Sequence, residues 1–254
     1  KKMHSKKYFI ANWKMNGLKG DLNQISKIDN FIKKNNKKLT ALNCVFCIPY
    51  TILGLALINY NLKKVKIGAQ DASNEAFDLG PYTGQISSKM LKDLNCKFTI
   101  IGHSEKRFNG DTEQQISQKI SMAAKNNLKV ILCVGENLKD YKNNKSFFKV
   151  KKQLQLSLKK NKKYLKNIIF AYEPIWSIGT GIIPENSYLN NFFRKIKKYL
   201  KNEFKTKATV IYGGSVSAKN INELKNIDLC DGFLIGGASL KYKNFIDIIK
   251  KYYN

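Results

Sequence analysis

The chain has very little arginine and histidine. Of its 46 basic residues only Arg107 and Arg194 are arginines, and the only histidines are His4 and His103. Proteins that recognise bases and phosphates rely on the bidentate guanidinium group, so a net charge of +28 does not by itself indicate a specific nucleic-acid partner. The lysines stand singly or in pairs among asparagines, which is typical of solvated helix faces.

Long hydrophobic runs and paired cysteine motifs are also missing. No stretch approaches the roughly 20 apolar residues of a membrane span, and the basic start has no secretory apolar core. We therefore predict a cytoplasmic protein without a membrane partner. Cys44 and Cys47 form one C-x-x-C among five cysteines. Without a second pair we expect buried, reduced thiols and no zinc site.

Eight short apolar runs alternate with helical stretches along the 254 residues. The runs begin near Tyr8, Cys44, Val65, Phe98, Lys129, Ile168, Thr209 and Gly232. Because no Pro- or Ser-rich linker divides them, residues 1–254 are predicted to form one α/β domain, a (β/α)8 barrel. The alternative is an open doubly wound sheet, which usually carries G-x-G-x-x-G after its first strand. This chain has A-N-W-K-M-N-G there.

Two helical stretches show the expected period. After Asp111, apolar residues recur on one face, and Asp111 and Gln114 are placed as a capping pair. After Ser187, one apolar stripe runs from Leu189 to Leu200. Both stretches are predicted to pack one face on a core.

The sixth apolar run ends in a carboxylate, Glu173. Pro174 follows and restricts the backbone, and then come Trp176 and a Gly-Thr-Gly segment that can swing. In barrels of this class the chemistry sits at the carboxyl ends of the strands. An acid on rigid backbone beside a flap suits proton abstraction under a lid. The alternative is a glutamate that caps a helix.

Two other strands are followed by polar residues. Lys14 comes after the first run, where an ammonium group is costly unless an anion meets it. It is either an anion contact or one more lysine among many. His103 comes after the fourth run, and a histidine there is either catalytic or structural.

Glycines follow the seventh and eighth runs, as Gly213-Gly214-Ser215 and Gly236-Gly237. Glycine lets backbone N–H groups approach a ligand closely, and a phosphate cradle recurs after these two strands. The residues thus predict an enzyme for a small phosphorylated metabolite, with Glu173 as base and His103 and Lys14 as electrophiles. Neither a cofactor nor a metal is expected.

Seven segments in this order resemble the triosephosphate isomerases over essentially the whole chain. They are A-N-W-K-M-N-G at 11–17, G-A-Q at 68–70, I-G-H-S-E-K-R at 101–107, L-C-V-G-E at 132–136, A-Y-E-P-I-W-S-I-G-T-G at 171–181, Y-G-G-S-V at 212–216 and D-G-F-L-I-G-G-A-S-L at 231–240. The resemblance implies a TIM barrel. It also implies the glycolytic and gluconeogenic interconversion of dihydroxyacetone phosphate and D-glyceraldehyde 3-phosphate.

The resemblance also implies roles for individual residues. Glu173 would move a proton between two carbons, and neutral His103 would serve the substrate oxygens. Lys14 would stabilise the enediolate, with Asn12 as a hydrogen-bond donor and Glu105 holding Lys14 in place.

A lid and a phosphate grip are implied as well. Ser104 would hold the catalytic carboxylate while the lid is open, and Tyr212 would latch the closed lid. The lid residues would be Pro174, Ile175, Trp176, Gly179, Thr180 and Gly181. The phosphate would be bound by Gly179, Ser215, Gly236 and Gly237.

The family is usually homodimeric, and the loop at residues 70–85 would place Thr83 against the partner. Residues 72–79 look about two residues longer than usual. Gln85 replaces a common acid and Lys106 a common arginine, so we expect an ion pair between segments to be missing.

Two rival functions remain at this point. Another phosphate-binding barrel isomerase or lyase should lack the set Asn12, Lys14, His103 and Glu173. A basic nucleic-acid-binding protein on a decayed barrel should not need Glu173 at all.

Overall fold

The computed structural model describes residues 6–254, so His4 lies outside the described residues, and the single-domain assignment of residues 1–254 stays a prediction. The strands form one closed parallel barrel in chain order. They are β1 (Lys7–Asn12), β2 (Leu42–Cys47), β3 (Val65–Ala69), β4 (Phe98–Ile101), β5 (Lys129–Val134), β6 (Ile168–Tyr172), β7 (Thr209–Tyr212) and β8 (Gly232–Ile235). The predicted (β/α)8 barrel is confirmed. β1 and β2 start slightly earlier than expected, and the other strands start where predicted.

Helices connect the strands around the outside of the barrel. They are α1 (Leu22–Lys34), α2 (Tyr50–Asn59), α3 (Ser88–Asp93), α4 (Ser104–Phe108), α5 (Glu113–Lys125), α6 (Leu138–Lys142), α7 (Ser146–Leu158), α8 (Asn186–Phe204), α9 (Ile221–Leu224) and α10 (Tyr242–Tyr253). Short 3-10 turns occupy Lys19–Asp21, Lys162–Asn167, Ile175–Ser177 and Gly237–Ser239. No helix in the described part of the chain has the length and apolar character needed to cross a membrane.

The strands are apolar on both faces because one face packs inside the barrel and the other packs against the helices. Alternate side chains point into the barrel or toward the helices. Cys44 packs in the outer core and Cys47 in the inner core. Both are free, buried thiols, as the sequence predicted.

The start of α5 corrects one expectation. The cap is Thr112, which accepts a hydrogen bond from the Gln115 N–H, while the Gln115 side chain accepts one from the Thr112 N–H. The predicted pair, one residue earlier, was wrong because Asp111 has another partner. Its Oδ2 lies 2.7 Å from Nζ of the buried Lys119. The stripe of α8 is buried as predicted.

The long connection after β3 is fixed at its base by charge. Oδ1 of Asp71 lies 2.9 Å from Lys119 Nζ, and Oδ2 lies 3.1 Å from Lys106 Nζ. Further along, Asn126 Nδ2 donates to Asp78 at 2.9 Å. Lys106 is therefore engaged within its own chain by an ion pair between segments, so the expectation that such a pair is missing was wrong.

Candidate active site

A cavity of about 260 Å³ opens at the carboxyl end of the barrel. It lies where β1, β4, β6, β7 and β8 end, so residues far apart in sequence meet there. The predicted site residues that line it are Asn12, Lys14, His103, Glu173, Gly179, Ser215, Gly236 and Gly237. Thr83 does not line this cavity and is exposed in the connection after β3.

Glu173 stands at the end of β6 with only 2% of its surface exposed. Its Oε1 lies 3.3 Å from His103 Nε2, and its Oε2 accepts a hydrogen bond from the Ser104 backbone N–H at 3.3 Å. The carboxylate thus caps the first turn of α4, so the helix-capping alternative is also met. Ser104 contributes its backbone to this contact.

Gly213 makes room for that carboxylate. A Cβ at this position would lie 2.8 Å from Glu173 Cγ, which is too close for any side chain. The glycine after β7 is therefore required by the position of the acid on β6.

A hydrogen bond to His103 shows which of its ring nitrogens carries the hydrogen. Its Nδ1 accepts from the Glu105 backbone N–H at 3.2 Å, so in the neutral ring the hydrogen is on Nε2. That N–H points to Glu173 and the cavity. His103 is therefore oriented as a neutral hydrogen-bond donor.

Lys14 is held by backbone strain and by a carboxylate. Its φ of 55° lies in the left-handed region, which is costly for a residue with a side chain. Its Nζ lies 2.7 Å from Glu105 Oε1. Asn12 Oδ1 accepts the Lys14 N–H at 3.1 Å, which leaves the Asn12 amide N–H groups available as donors.

The glycine turn after β8 is open toward the cavity. No atom lies within 4 Å of where a Gly237 Cβ would be. Trp13 Nε1 donates to Ser239 O at 3.3 Å and ties this turn to the end of β1. Together with Ser215, which lines the same cavity, the turn can present backbone donors to an anion.

The predicted lid segment, residues 174–181, contains two glycines with free space around them. Gly179 and Gly181 have positive φ, and no atom lies within 4 Å of where a Cβ would be on either one. At the base of the lid, Ser177 Oγ lies 3.2 Å from Tyr212 Oη and donates to Ile182 O at 2.7 Å. Burial raises the pKa of Tyr212 to about 12, so its hydroxyl stays protonated.

Sequence reasoning missed Glu136, which follows β5 and is fully buried. Its Oε1 accepts from Trp176 Nε1 at 3.0 Å and from Tyr172 Oη at 3.1 Å, and its Oε2 has no partner among the described residues. The Tyr141 ring lies 4.2 Å from the Trp176 ring. Burial raises the pKa of Glu136 to about 7. Its position at a strand end was the available signal.

Arg107 was also missed and fixes two strand ends. Its Nε donates to Gly102 O at 2.6 Å and its Nη2 to Cys133 O at 3.1 Å. It also pairs with Glu113 at the start of α5. The backbone that carries His103 is therefore clamped to its neighbour.

Comparison with known proteins agrees with this geometry. The family model described as triosephosphate isomerase matches residues 7–252. The chain belongs to the triosephosphate isomerase family. The triosephosphate isomerase of Mycoplasma mobile is 40% identical over 254 residues, covering 96% of this chain and 99% of that protein. That of Ureaplasma parvum is 41% identical over 246 residues, with the same coverages.

A solved triosephosphate isomerase has the same fold. The crystal structure of the Bartonella henselae protein matches with a TM-score of 0.87 and 31% identity, over 98% of this chain and 100% of that chain. The sequence resemblance and the prediction of an isomerase are thus confirmed. Enzymes of other families are not favoured.

Proposed function

We propose that this member of the triosephosphate isomerase family interconverts dihydroxyacetone phosphate and D-glyceraldehyde 3-phosphate, in glycolysis and gluconeogenesis. The observation that carries the proposal is the contact of Glu173 with His103 at 3.3 Å. A buried base and a neutral donor there share one cavity with a cation and glycine turns.

In the proposed reaction Glu173 removes a proton from the carbon beside the carbonyl. The electron pair of that C–H bond forms the C=C bond of an enediolate, and the carbonyl oxygen becomes negative. The His103 Nε2–H hydrogen-bonds to the two oxygens and moves a proton between them. Glu173 then returns its proton to the neighbouring carbon, so no oxidant is needed.

Lys14 stabilises the negative oxygen in this scheme. In the free enzyme Glu105 already holds the ammonium group at 2.7 Å, so little reorganisation is needed when charge develops. Asn12 supplies a donor from the same strand end.

The phosphate is proposed to bind Ser215, Gly236 and Gly237 on one side and the Gly179 N–H on the other. Closure of the lid at residues 174–181 would exclude water and hold the phosphate, which suppresses its elimination from the enediolate. Tyr212 would hold the lid closed through its contact with Ser177 at the start of the lid.

Isomerisation in D₂O tests the chemistry. The purified protein should turn over glyceraldehyde 3-phosphate and leave solvent deuterium on the carbon that Glu173 reprotonates. Glu203→Gln, a neutralised exposed acid on α8, is the matched control for Glu173→Gln. Turnover no faster than buffer would refute the function, and full activity of Glu173→Gln would refute the base.

We also infer a homodimer. Large apolar side chains are exposed on the connections after β1, β3 and β4: Met15 is 97% exposed, Phe77 64%, Leu79 72% and Phe108 92%. Surfaces of this kind mark protein contacts, and Thr83 belongs to the same region. Sedimentation velocity should give a dimer that Phe108→Ser converts to monomer. A wild-type monomer at all concentrations would contradict this.

We infer a cytoplasmic location from the thiols. All five cysteines are free and buried, as suits a reducing compartment. Fractionation of source cells tests this, and activity confined to an extracellular fraction would exclude it.

A further inference from the structure

The opposite, amino end of the barrel contains inward-facing lysines. Val65 and Ile67 pack in the outer core, so Lys66 between them points to the inner side of β3. Lys129 has the same parity as Ile131, which packs in the inner core. Both side chains are exposed at the mouth of the barrel.

No acidic residue faces this mouth in residues 6–254. The inner positions at this end are Tyr8, Asn43, Lys66, Phe98, Lys129, Ile169, Thr209 and Gly232, and Lys6 precedes β1. The neighbouring Asp231 faces outward, where it accepts from Lys197 Nζ at 2.7 Å and from the Val210 N–H at 2.8 Å. Within the described part of the chain, Lys6, Lys66 and Lys129 make no ion pair.

The charges of Lys129 and Lys6 act on Lys66 at this mouth. Burial lowers the pKa of Lys66, and the charges of Lys129 and Lys6 lower it further. Lys129 Nζ lies 6.0 Å from the centre of the Tyr8 ring, which places it over the barrel opening. Like charges gathered without a counter-charge are unfavourable, and an anion between them would remove that cost.

We propose that Lys6, Lys66 and Lys129 bind a compact oxyanion, inorganic phosphate or the phosphoryl group of a phosphomonoester, at the amino mouth of the barrel. Lysine binds phosphate as a point charge, and the Asn43 amide and the Thr209 hydroxyl add neutral donors from inner positions. The packed barrel wall excludes solvent on one side and concentrates the positive field at the opening. This site is separate from the carboxyl-end cavity and goes beyond the isomerase reaction.

Amine labelling followed by mass spectrometry locates the site. With limiting amine-reactive ester at pH 8, Lys66 should label faster than Lys159, an exposed lysine just after α7. Inorganic phosphate should protect Lys66 and Lys129 and leave Lys159 unchanged. Equal protection of all three would overturn the proposal.

Calorimetry with paired variants measures the stoichiometry. Wild type and the control Lys159→Gln/Lys160→Gln should each bind two equivalents of phosphate, one per mouth. Lys66→Gln/Lys129→Gln, with the same change in net charge, should bind one, and either single change should weaken that equivalent about tenfold. Two unchanged equivalents in the double variant, or equal loss in the control, would overturn the site.

Methyl phosphate in a parallel titration identifies the source of the anion. Binding with the same stoichiometry means that phosphoryl groups are accepted, whereas exclusion restricts the site to free phosphate; either supports an oxyanion site. Isomerase activity is assayed separately on wild type. A failure there would refute the proposed function while leaving the labelling result intact.

Discussion

The two ends of the barrel use lysine in opposite ways. At the carboxyl end, Lys14 has strained backbone and lies 2.7 Å from Glu105, so its charge has a fixed position. At the amino end, Lys66 and Lys129 face the axis without a carboxylate among the described residues. A cation held in one position can stabilise a negative charge that develops beside it. Unpaired cations instead favour the binding of any compact anion that reduces their repulsion. Side-chain partners, not residue type, separate the two ends.

The largest expected effect comes from removing Glu173, the proposed catalytic base at the carboxyl end of the barrel. Glu173→Gln keeps the shape of the side chain and cannot accept a proton, so kcat should fall by about 10²–10⁴. Steady-state assay with glyceraldehyde 3-phosphate measures it, and circular dichroism checks the fold. A fully active variant would move the chemistry away from Glu173.

Removing the paired lysine tests whether its position matters more than its charge. Lys14→Gln should lower kcat/KM by about 10²–10³, the effect of losing a preorganised charge. Lys125→Gln changes net charge equally at the end of α5 and should stay within about twofold. If both variants lost the same factor, the general field of the protein would be the cause.

A buried acid at the carboxyl end should make stability depend on pH. An ordinary glutamate titrates near 4.5, whereas Glu136 titrates at about 7 in the folded protein. Between these values the folded protein keeps a proton that the unfolded chain has released, so the free energy of unfolding falls as pH rises. Glu136→Gln should lack this fall, a difference of at most about 3 kcal/mol.

Urea unfolding at pH 5 and pH 8 measures that difference, and the fluorescence of Trp13 and Trp176 follows the unfolding. Outside this pH range, the free energy of unfolding should depend on pH in the same way in wild type and in Glu136→Gln. If the free energy of unfolding fell equally in both proteins between pH 5 and pH 8, another group would be responsible for the fall.

The smallest effect is expected at the amino end. Because the pKa of Lys66 is lowered, its charged form destabilises the fold at pH below that pKa, and the cost disappears as pH rises through it. Lys66→Gln should therefore raise the free energy of unfolding at pH 7, by less than about 1 kcal/mol for so exposed a group. Phosphate-free urea unfolding measures this, and saturating phosphate should reverse the order. Destabilisation without phosphate would contradict mutual repulsion.

The barrel was predictable because strands buried on both faces produce continuous apolar runs, and most strand starts follow from those runs alone. The placement rule for strand ends also brought Lys14, His103 and Glu173 into one list, and they line one cavity. Their roles stay predictions until the variants are assayed.

Other features depend on contacts that no local pattern encodes. The cap of α5 is Thr112 because Asp111 is engaged by a lysine two turns later. Glu136 acquires its environment from Tyr172 and Trp176, and Tyr141 of α6 packs on the Trp176 ring. The amino-end lysines were visible as inner-parity positions, but their convergence appears only when the barrel closes.

The ion pair between Lys106 and Asp71 has a consequence for assembly. Because the Lys106 amine is paired within its own chain and Gln85 is neutral, the proposed dimer would bring together two copies that each carry +28 and repel one another, with apolar loops as the contact. Added electrolyte would shield that repulsion and leave the apolar contact intact. The affinity of the proposed dimer should therefore increase at high salt concentration, whereas assemblies held together by ion pairs weaken there.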